Sequence, residues 1–181
     1  MATQHPDNAG APFWHSRAFI STAAEIKEVY ICFSELGLEE YNWDWEGKLV
    51  DEAVVDRMMQ KHHAFFLEHE LGVDRFLTFR IPNPRVERQF RLARAFMVAI
   101  TSSQLAHDIG FTHAPIFEMI LPLTETADEL IAIQRSFRKL IEVDDHLLSL
   151  GDSLTEIELI PLFEQTNTIL NSVDILKKYI D

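Results

Sequence analysis

Residues 76–84 read Phe-Leu-Thr-Phe-Arg-Ile-Pro-Asn-Pro. The first four are a short apolar run of strand-forming side chains, Arg80 ends it with a charge, and Asn83-Pro84 supplies a helix N-cap followed by proline at the first helical position. The spacing after it predicts a helix whose stripe Val86, Phe90, Ala93, Met97 and Ile100 steps by four and three. A strand passing directly into a helix is the repeating unit of a parallel α/β sheet.

The same unit recurs on both sides. Runs at 41–45 (YNWDW), 115–121 (PIFEMIL) and 157–163 (IELIPLF) have the length and the Gly, Pro and cap boundaries of buried parallel strands. Helices are predicted from Thr22 to Gly37 with Ile26, Val29, Tyr30, Phe33 and Leu36 inward, and from about Asp51 to Leu71-Gly72 with Val54, Val55, Met58, His62, Phe65 and Phe66 inward. Thr126 and Glu129 form a capping box ahead of Leu130, Ile133, Phe137 and Leu140, and a last helix fits 167–180. Charged residues lie at or near the C-terminal end of each run or just within it: Asp44 and Glu46, Arg80, Glu118, which three apolar residues follow, and Glu164. Their intervals from Glu46 onward are 34, 38 and 46 residues, close to the ~31 residues per unit of an eight-unit barrel of ~250 residues. The expectation is an α/β fold: a partial (β/α)8 TIM barrel, about four to five βα units of parallel sheet with flanking helices, in one domain over residues 1–181. Four or five units cannot close an eight-stranded cylinder, so two open edges would need a partner, a covering segment or the missing half of the fold.

Composition fits an ordinary folded chain, with 47% hydrophobic and 25% charged residues. Sixteen Lys and Arg against 29 Asp and Glu leave a net charge of −13, which makes binding to nucleic acid or an anionic membrane surface electrostatically poor. Any anionic ligand therefore needs a local basic site. No apolar run approaches the ~20 residues that span a bilayer, residues 1–10 lack the basic start and apolar stretch of a secretory signal, and the lone Cys32 reads as a small buried hydrophobe. The expected compartment is the cytoplasm, with neither nucleic acid nor membrane as a partner.

In parallel α/β folds the strand C-termini and the loops after them form the active face. A single charge there can simply mark where a strand exits into solvent, but a charge at every exit points to chemistry. Arg80, above a helix start, is suited to a phosphate or carboxylate. Arg75, Arg80, Arg85, Arg88, Arg91 and Arg94 are six of the ten arginines, with Arg85 to Arg94 read as including a solvated helix face paired with Glu87 and nearby acids. Glu164, delivered by Ile160-Pro161-Leu162-Phe163, suits a hard divalent cation, which takes one or two carboxylates plus substrate oxygens and water. Glu118 has two readings, a catalytic carboxylate or a salt bridge inside the barrel to Arg80 or a neighbour. His5, in Thr3-Gln4-His5-Pro6-Asp7-Asn8, is either a proton-transfer group held by the following proline or a solvated side chain. His62 and His69, seven residues and roughly 10 Å apart along a helix, cannot share an ion; His107 and His113 flank a turn. HExxH, GxGxxG, P-loop and GxSxG motifs are absent from the sequence.

Taken in order, TQHPDN (3–8), WDWEGK (43–48), FRIPNP (79–84), APIFEMILP (114–122) and IPLFE (160–164) resemble the archaeal-type phosphoenolpyruvate carboxylases over nearly the whole chain. The resemblance implies a (β/α)8 lyase of carbon dioxide fixation, usually tetrameric, that uses Mg²⁺ or Mn²⁺. It joins bicarbonate to phosphoenolpyruvate, releases phosphate and oxaloacetate, and is an allosteric enzyme inhibited by aspartate or malate. By motif, His5 resembles the His-Pro histidine that handles the proton of the carboxyphosphate intermediate, and Glu164 the metal-ligand glutamate. Arg80 matches the arginine that holds the anionic substrate; the resemblance assigns no role to Asp44, Glu46 or Glu118. Family members are much longer, and the part absent here is expected to hold a second metal carboxylate and the basic and glycine-rich segments that complete the site. The chain alone is accordingly expected to be inactive and to act as a homo-oligomer or with the missing C-terminal part. The competing reading is a non-catalytic half-barrel that self-associates or binds an effector.

Overall fold

A computed structural model describes residues 1–3, 21–46, 50–148 and 154–180, with the backbone alone over 143–148. Five strands stand side by side in chain order, all parallel: β1 (Ala2–Thr3), β2 (Glu40–Asp44), β3 (Phe76–Arg80), β4 (Glu118–Leu121) and β5 (Glu158–Pro161). Helices α1 (Thr22–Ser34), α2 (Val54–Glu68), α3 (Gln89–Asp108) and α4 (Ala127–Leu148) lie between successive strands, and α5 (Thr166–Leu170) and α6 (Ser172–Ile180) follow β5. A sheet that adds every strand on the same side, through crossovers of one hand, receives its helices on one face. This singly wound order is the one a partial barrel needs. The sheet has two ends, β1 and β5, with no pairing between them among the described residues.

Register sorts the strand residues into two faces. Tyr41 stands beside Leu77, Trp43 beside Phe79, Phe79 beside Met119 and Met119 beside Leu159, and all of these are buried. They pack with Ile26, Val29 and Phe33 of α1, Val54, Met58 and Phe66 of α2, Phe96 and Ile100 of α3, and Leu130 and Phe137 of α4 in one apolar cluster. Burying each large side chain of this kind contributes about 1.5–3 kcal/mol. The opposite face is mostly polar, with Phe76, Ile120 and Ile160 among its residues. Thr3 stands beside Asn42 and Asn42 beside Thr78, Glu118 beside Glu158, and Asp44 beside Arg80.

Several local expectations are corrected. Strand β1 was not anticipated, since two residues carry no periodicity. Asn83-Pro84 opens a turn instead of α3: Asn83 Oδ1 accepts from Arg85 N at 2.8 Å, and Val86 N and Glu87 N donate to Asn83 O. With the start moved to Gln89, Val86 and Phe90 are 54% and 53% exposed, and Leu92, Ala95, Phe96 and Ala99 face inward. The cap of α1 is Ser21, whose Oγ accepts from Ala24 N at 3.4 Å. His62 interrupts α2 with φ −127° and ψ 33°, and its ring stacks on Tyr30 at 3.9 Å. The helix expected over 167–180 is two, α5 and α6, parted at Asn171. Among the described residues no helix is long and apolar enough to cross a membrane.

Candidate functional site

The β2–β3 register sets Asp44 directly beside Arg80, and the two-residue period of a strand turns both side chains to the polar face. Arg80 Nε donates to Asp44 Oδ1 at 2.9 Å and Nη2 to Oδ2 at 2.5 Å, a fork-to-fork pair. Its Nη1 lies 3.3 Å from Glu46 Oε2, and Glu46 N donates back to Asp44 Oδ1 at 3.0 Å. The arginine at the C-terminal end of β3 is therefore tied to the C-terminal end of β2. The hydrogen bond to Asp44 raises its pKa further above an already high ordinary value, with the carboxylates of Asp44, Glu46 and Glu164 adding to the effect.

The exit of β5 reaches the same rim. Ladder bonds continue past the strands: Trp45 N donates to Arg80 O, Ile81 N to Ile120 O, Leu162 N to Leu121 O and Thr124 N to Leu162 O. Glu164 follows, its Oε2 accepting from Leu123 N at 2.8 Å. Leu123 holds φ +53°, a left-handed conformation uncommon for leucine, at the turn that presents this N–H. Burial raises the pKa of Glu46, opposed by Arg80 and reinforced by the charges of Glu164, Asp44 and Glu87. Glu164, Glu46, Asp44 and Arg80 thus belong to one electrostatic cluster.

Below the cluster the loops are tied to one another. Asn83 is fully buried, and its Nδ2 donates to Pro122 O at 2.8 Å and to Glu129 Oε1 at 2.9 Å. Arg85 donates to Glu125 Oε1 and to Leu123 O, both at 2.7 Å, and Gln165 Nε2 donates to the same Glu125 oxygen at 3.1 Å. The loops after β3, β4 and β5 are therefore held as a unit. Glu129 serves twice: its N–H donates to Thr126 Oγ1 at 3.2 Å, and its Oε2 accepts from Glu125 N at 3.1 Å. Of the arginines read as a helix face, Arg91 pairs with Glu87 as the sequence suggested and Arg94 with the distant Glu52, while Arg85 and Arg88 precede α3.

Glu118 is placed differently from expectation. It opens β4 and stands beside Glu158, two residues before Ile120, the neighbour of Arg80. The apolar run at 115–121 begins before the ladder does, so the residue that seemed to sit late in the run is the first of the strand. The ion pair to Arg80 is not formed. Burial raises the Glu118 pKa, and the charges of Glu40 and Glu158 raise it further. His5 lies outside the described residues.

Asn83, Glu125, Glu129 and Gln165 escaped the sequence reading as parts of the rim. Their only signals were cap and turn preferences, which do not reveal bonds across 39 to 46 residues. As for a metal, no group of three or more His, Cys, Asp or Glu positioned to hold an ion occurs among the described residues. Mg²⁺ requires fewer protein ligands than that, one or two carboxylates with substrate oxygens and water. Glu164, at the exit of β5 with its Oε2 accepting from Leu123 N, is a carboxylate of the kind such a partial site takes.

An all-parallel sheet wound in chain order, with an ionic rim at its strand C-termini, is the architecture of α/β proteins that bind ligands at that rim. A family model described as phosphoenolpyruvate carboxylase matches residues 1–181, and the chain belongs to that family. The phosphoenolpyruvate carboxylase of Leuconostoc mesenteroides is 44% identical over 184 residues, covering 100% of this chain and 36% of its own length. Those of Methanothermobacter thermautotrophicus and Pyrococcus horikoshii are 38% and 37% identical, covering 100% and 99% of this chain and 40% and 41% of theirs. The similarity to archaeal carboxylases is thus present across the chain, which spans roughly two fifths or less of the relatives it matches.

Proposed function

We propose that this chain supplies one part of the active rim of a phosphoenolpyruvate carboxylase, in which bicarbonate is joined to phosphoenolpyruvate to give oxaloacetate and phosphate. The observation that carries the reading is the fork of Arg80 on Asp44, in the same charge cluster as Glu46 and Glu164. A guanidinium held in this way is preorganised to meet a phosphate or carboxylate with little reorientation. Asp44 and Glu46 position it. In the reaction, a bicarbonate oxygen attacks phosphorus and the bond from phosphorus to the enol oxygen breaks. Carboxyphosphate and the enolate of pyruvate result; carboxyphosphate releases carbon dioxide, which the enolate carbon captures. His5 is assigned the proton of carboxyphosphate. When bound, Mg²⁺ or Mn²⁺ supplies electrostatic stabilisation for substrate oxygens, with Glu164 the ligand this chain contributes.

The substrate oxygens that Arg80 and Glu164 leave uncontacted call for groups from elsewhere, so the chain by itself is inactive. Homo-oligomeric assembly, an aspartate or malate effector site and a cytoplasmic location belong to the same reading. The test is a chimera in which this chain replaces the matched region of the Leuconostoc mesenteroides enzyme within a single polypeptide, assayed for oxaloacetate by coupling to malate dehydrogenase. Bicarbonate-dependent turnover is expected from the chimera and none from the isolated chain. Arg80→Gln in the chimera is expected to lower kcat/KM by about 10²–10³-fold. Turnover unchanged by Arg80→Gln would reject the assignment.

A further inference from the structure

Leu123 is the one non-glycine residue with a positive φ, +53°, among the described residues. A left-handed residue directly after a proline is where turns ordinarily carry Gly or Asn, and the Cβ of a leucine there is disfavoured. Such strain persists only where the surroundings over-determine it, and it gathers at sites with a task. A turn that did no more than carry the chain from β4 to α4 would do so without strain on glycine.

The surroundings are specific. Leu121 O accepts from Leu162 N and from Thr124 Oγ1, Pro122 O from Nδ2 of the buried Asn83, and Leu123 O from Arg85 Nη2, while Thr124 N donates to Leu162 O. Each carbonyl from Leu121 to Leu123 is thus held, mostly by groups of the β3 and β5 exits. The Leu123 N–H is left for a side chain, Glu164 Oε2 at 2.8 Å. The φ of Leu123 relates the direction of this N–H to that of the chain after it. Its left-handed value lets the N–H meet Glu164 while Leu123 O meets Arg85 and Thr124 N meets Leu162 O. Glu164 is itself exposed, and a free glutamate side chain samples many rotamers, which holding it for a ligand must overcome. Docking Oε2 on a fixed donor removes most of that freedom and leaves Oε1 to meet the ligand.

We propose that Leu123 is a positioning residue for Glu164: its left-handed backbone, pinned by Asn83 and Arg85, fixes Oε2 and leaves Oε1 free to meet a divalent cation. It acts through its backbone N–H. The inference rests on the role given to Glu164 under the proposed function and adds the device that aims this carboxylate. Asn83 follows Arg80 in the loop after β3 and holds Pro122 O, so one network sets both the anion-binding arginine and the carboxylate across the rim.

The test uses the full-length chimera and reads Mn²⁺ binding without substrate, from the electron paramagnetic resonance signal of the free ion. Leu123→Ile keeps the volume and apolarity of the side chain but opposes positive φ by branching at Cβ, whereas Leu123→Gly deletes the side chain and accepts that φ. Positioning predicts that Leu123→Ile weakens Mn²⁺ binding about three- to tenfold. It also predicts that Leu123→Gly binds at least about threefold more tightly than Leu123→Ile; a packing role predicts the reverse order. Arg85→Gln frees Leu123 O on an exposed loop and weakens binding about two- to threefold. Glu164→Gln, the reference, weakens it at least about tenfold. A circular dichroism melt checks that each variant is folded. A Glu164→Gln chimera that binds Mn²⁺ as its parent does would overturn both this inference and the metal role of Glu164. With Glu164→Gln weakened, a Leu123→Gly chimera that binds no better than Leu123→Ile overturns the positioning role alone. Should Leu123→Ile fail to fold, Arg85→Gln binding as the parent does overturns it in the same way.

Discussion

Asp44 and Glu118 are carboxylates on the same face of one sheet, a row apart, and their surroundings are opposite. Asp44 closes its strand against Arg80, with both oxygens engaged by the guanidinium. Glu118 opens its strand beside Glu158, with Glu40 near, and among the described residues no cation pairs with it. At the rim the carboxylate that ends β2 thus finds a cation within this chain, while the one that opens β4 a row beneath does not. A parallel sheet can finish its loops locally, because consecutive exits are neighbours.

Breaking the buried tie of the rim should be the most damaging change. Asn83→Ala removes two donated bonds, to Pro122 O and Glu129 Oε1, and one accepted from Arg85 N, in a site with no access to water. The expected loss is about 2–4 kcal/mol of unfolding free energy, read as a lower denaturation midpoint at unchanged m. A cost no larger than that of a surface substitution would erase the contrast. Asp44→Asn comes next. It leaves the Arg80 guanidinium with Glu46 as its main partner, and because that guanidinium is 29% exposed the expected loss is smaller, about 1–2 kcal/mol by the same measurement.

The comparison also shows where the sequence was informative. Strands and helices alternating between 41 and 180, and the charges at the exits holding Arg80 and Glu164, follow from run length, caps and the cost of burying charge. Those are local facts. The Arg80 partnership with Asp44 spans 36 residues, and only register reveals it. Asn83 looked like a helix cap because cap chemistry and turn chemistry use the same side chain; its bonds to Pro122 and Glu129 form because two loops meet. Glu118 was misplaced because an apolar run shows which residues avoid water and not where the hydrogen-bond ladder begins. The first half of the α3 stripe failed for the same reason: Val86, Phe90 and Ala93 are exposed and Leu92 and Phe96 are buried in their place, while Met97 is half-buried and Ile100 buried as expected.

The smallest effect sharpens the contrast most, because its sign is reversed. Burial first, then Glu40 and Glu158, raise the Glu118 pKa above its unfolded value. A carboxyl with a raised folded pKa binds its proton more tightly when folded. It therefore costs stability as pH rises from the unfolded pKa through the folded one, and at lower pH the cost is absent. Glu118→Gln should then be neutral near pH 4 and stabilising at pH 7, by under about 1 kcal/mol given solvent screening at a half-buried carboxylate. Asp44→Asn should be destabilising at pH 7. Two amide-for-carboxylate exchanges one row apart, measured as denaturation midpoints at both pH values, are expected to shift stability in opposite directions at pH 7. A destabilising Glu118→Gln would mean that the row beneath the rim already has its counter-charge within this chain, and a stabilising Asp44→Asn would mean that the Arg80 fork adds nothing to the rim.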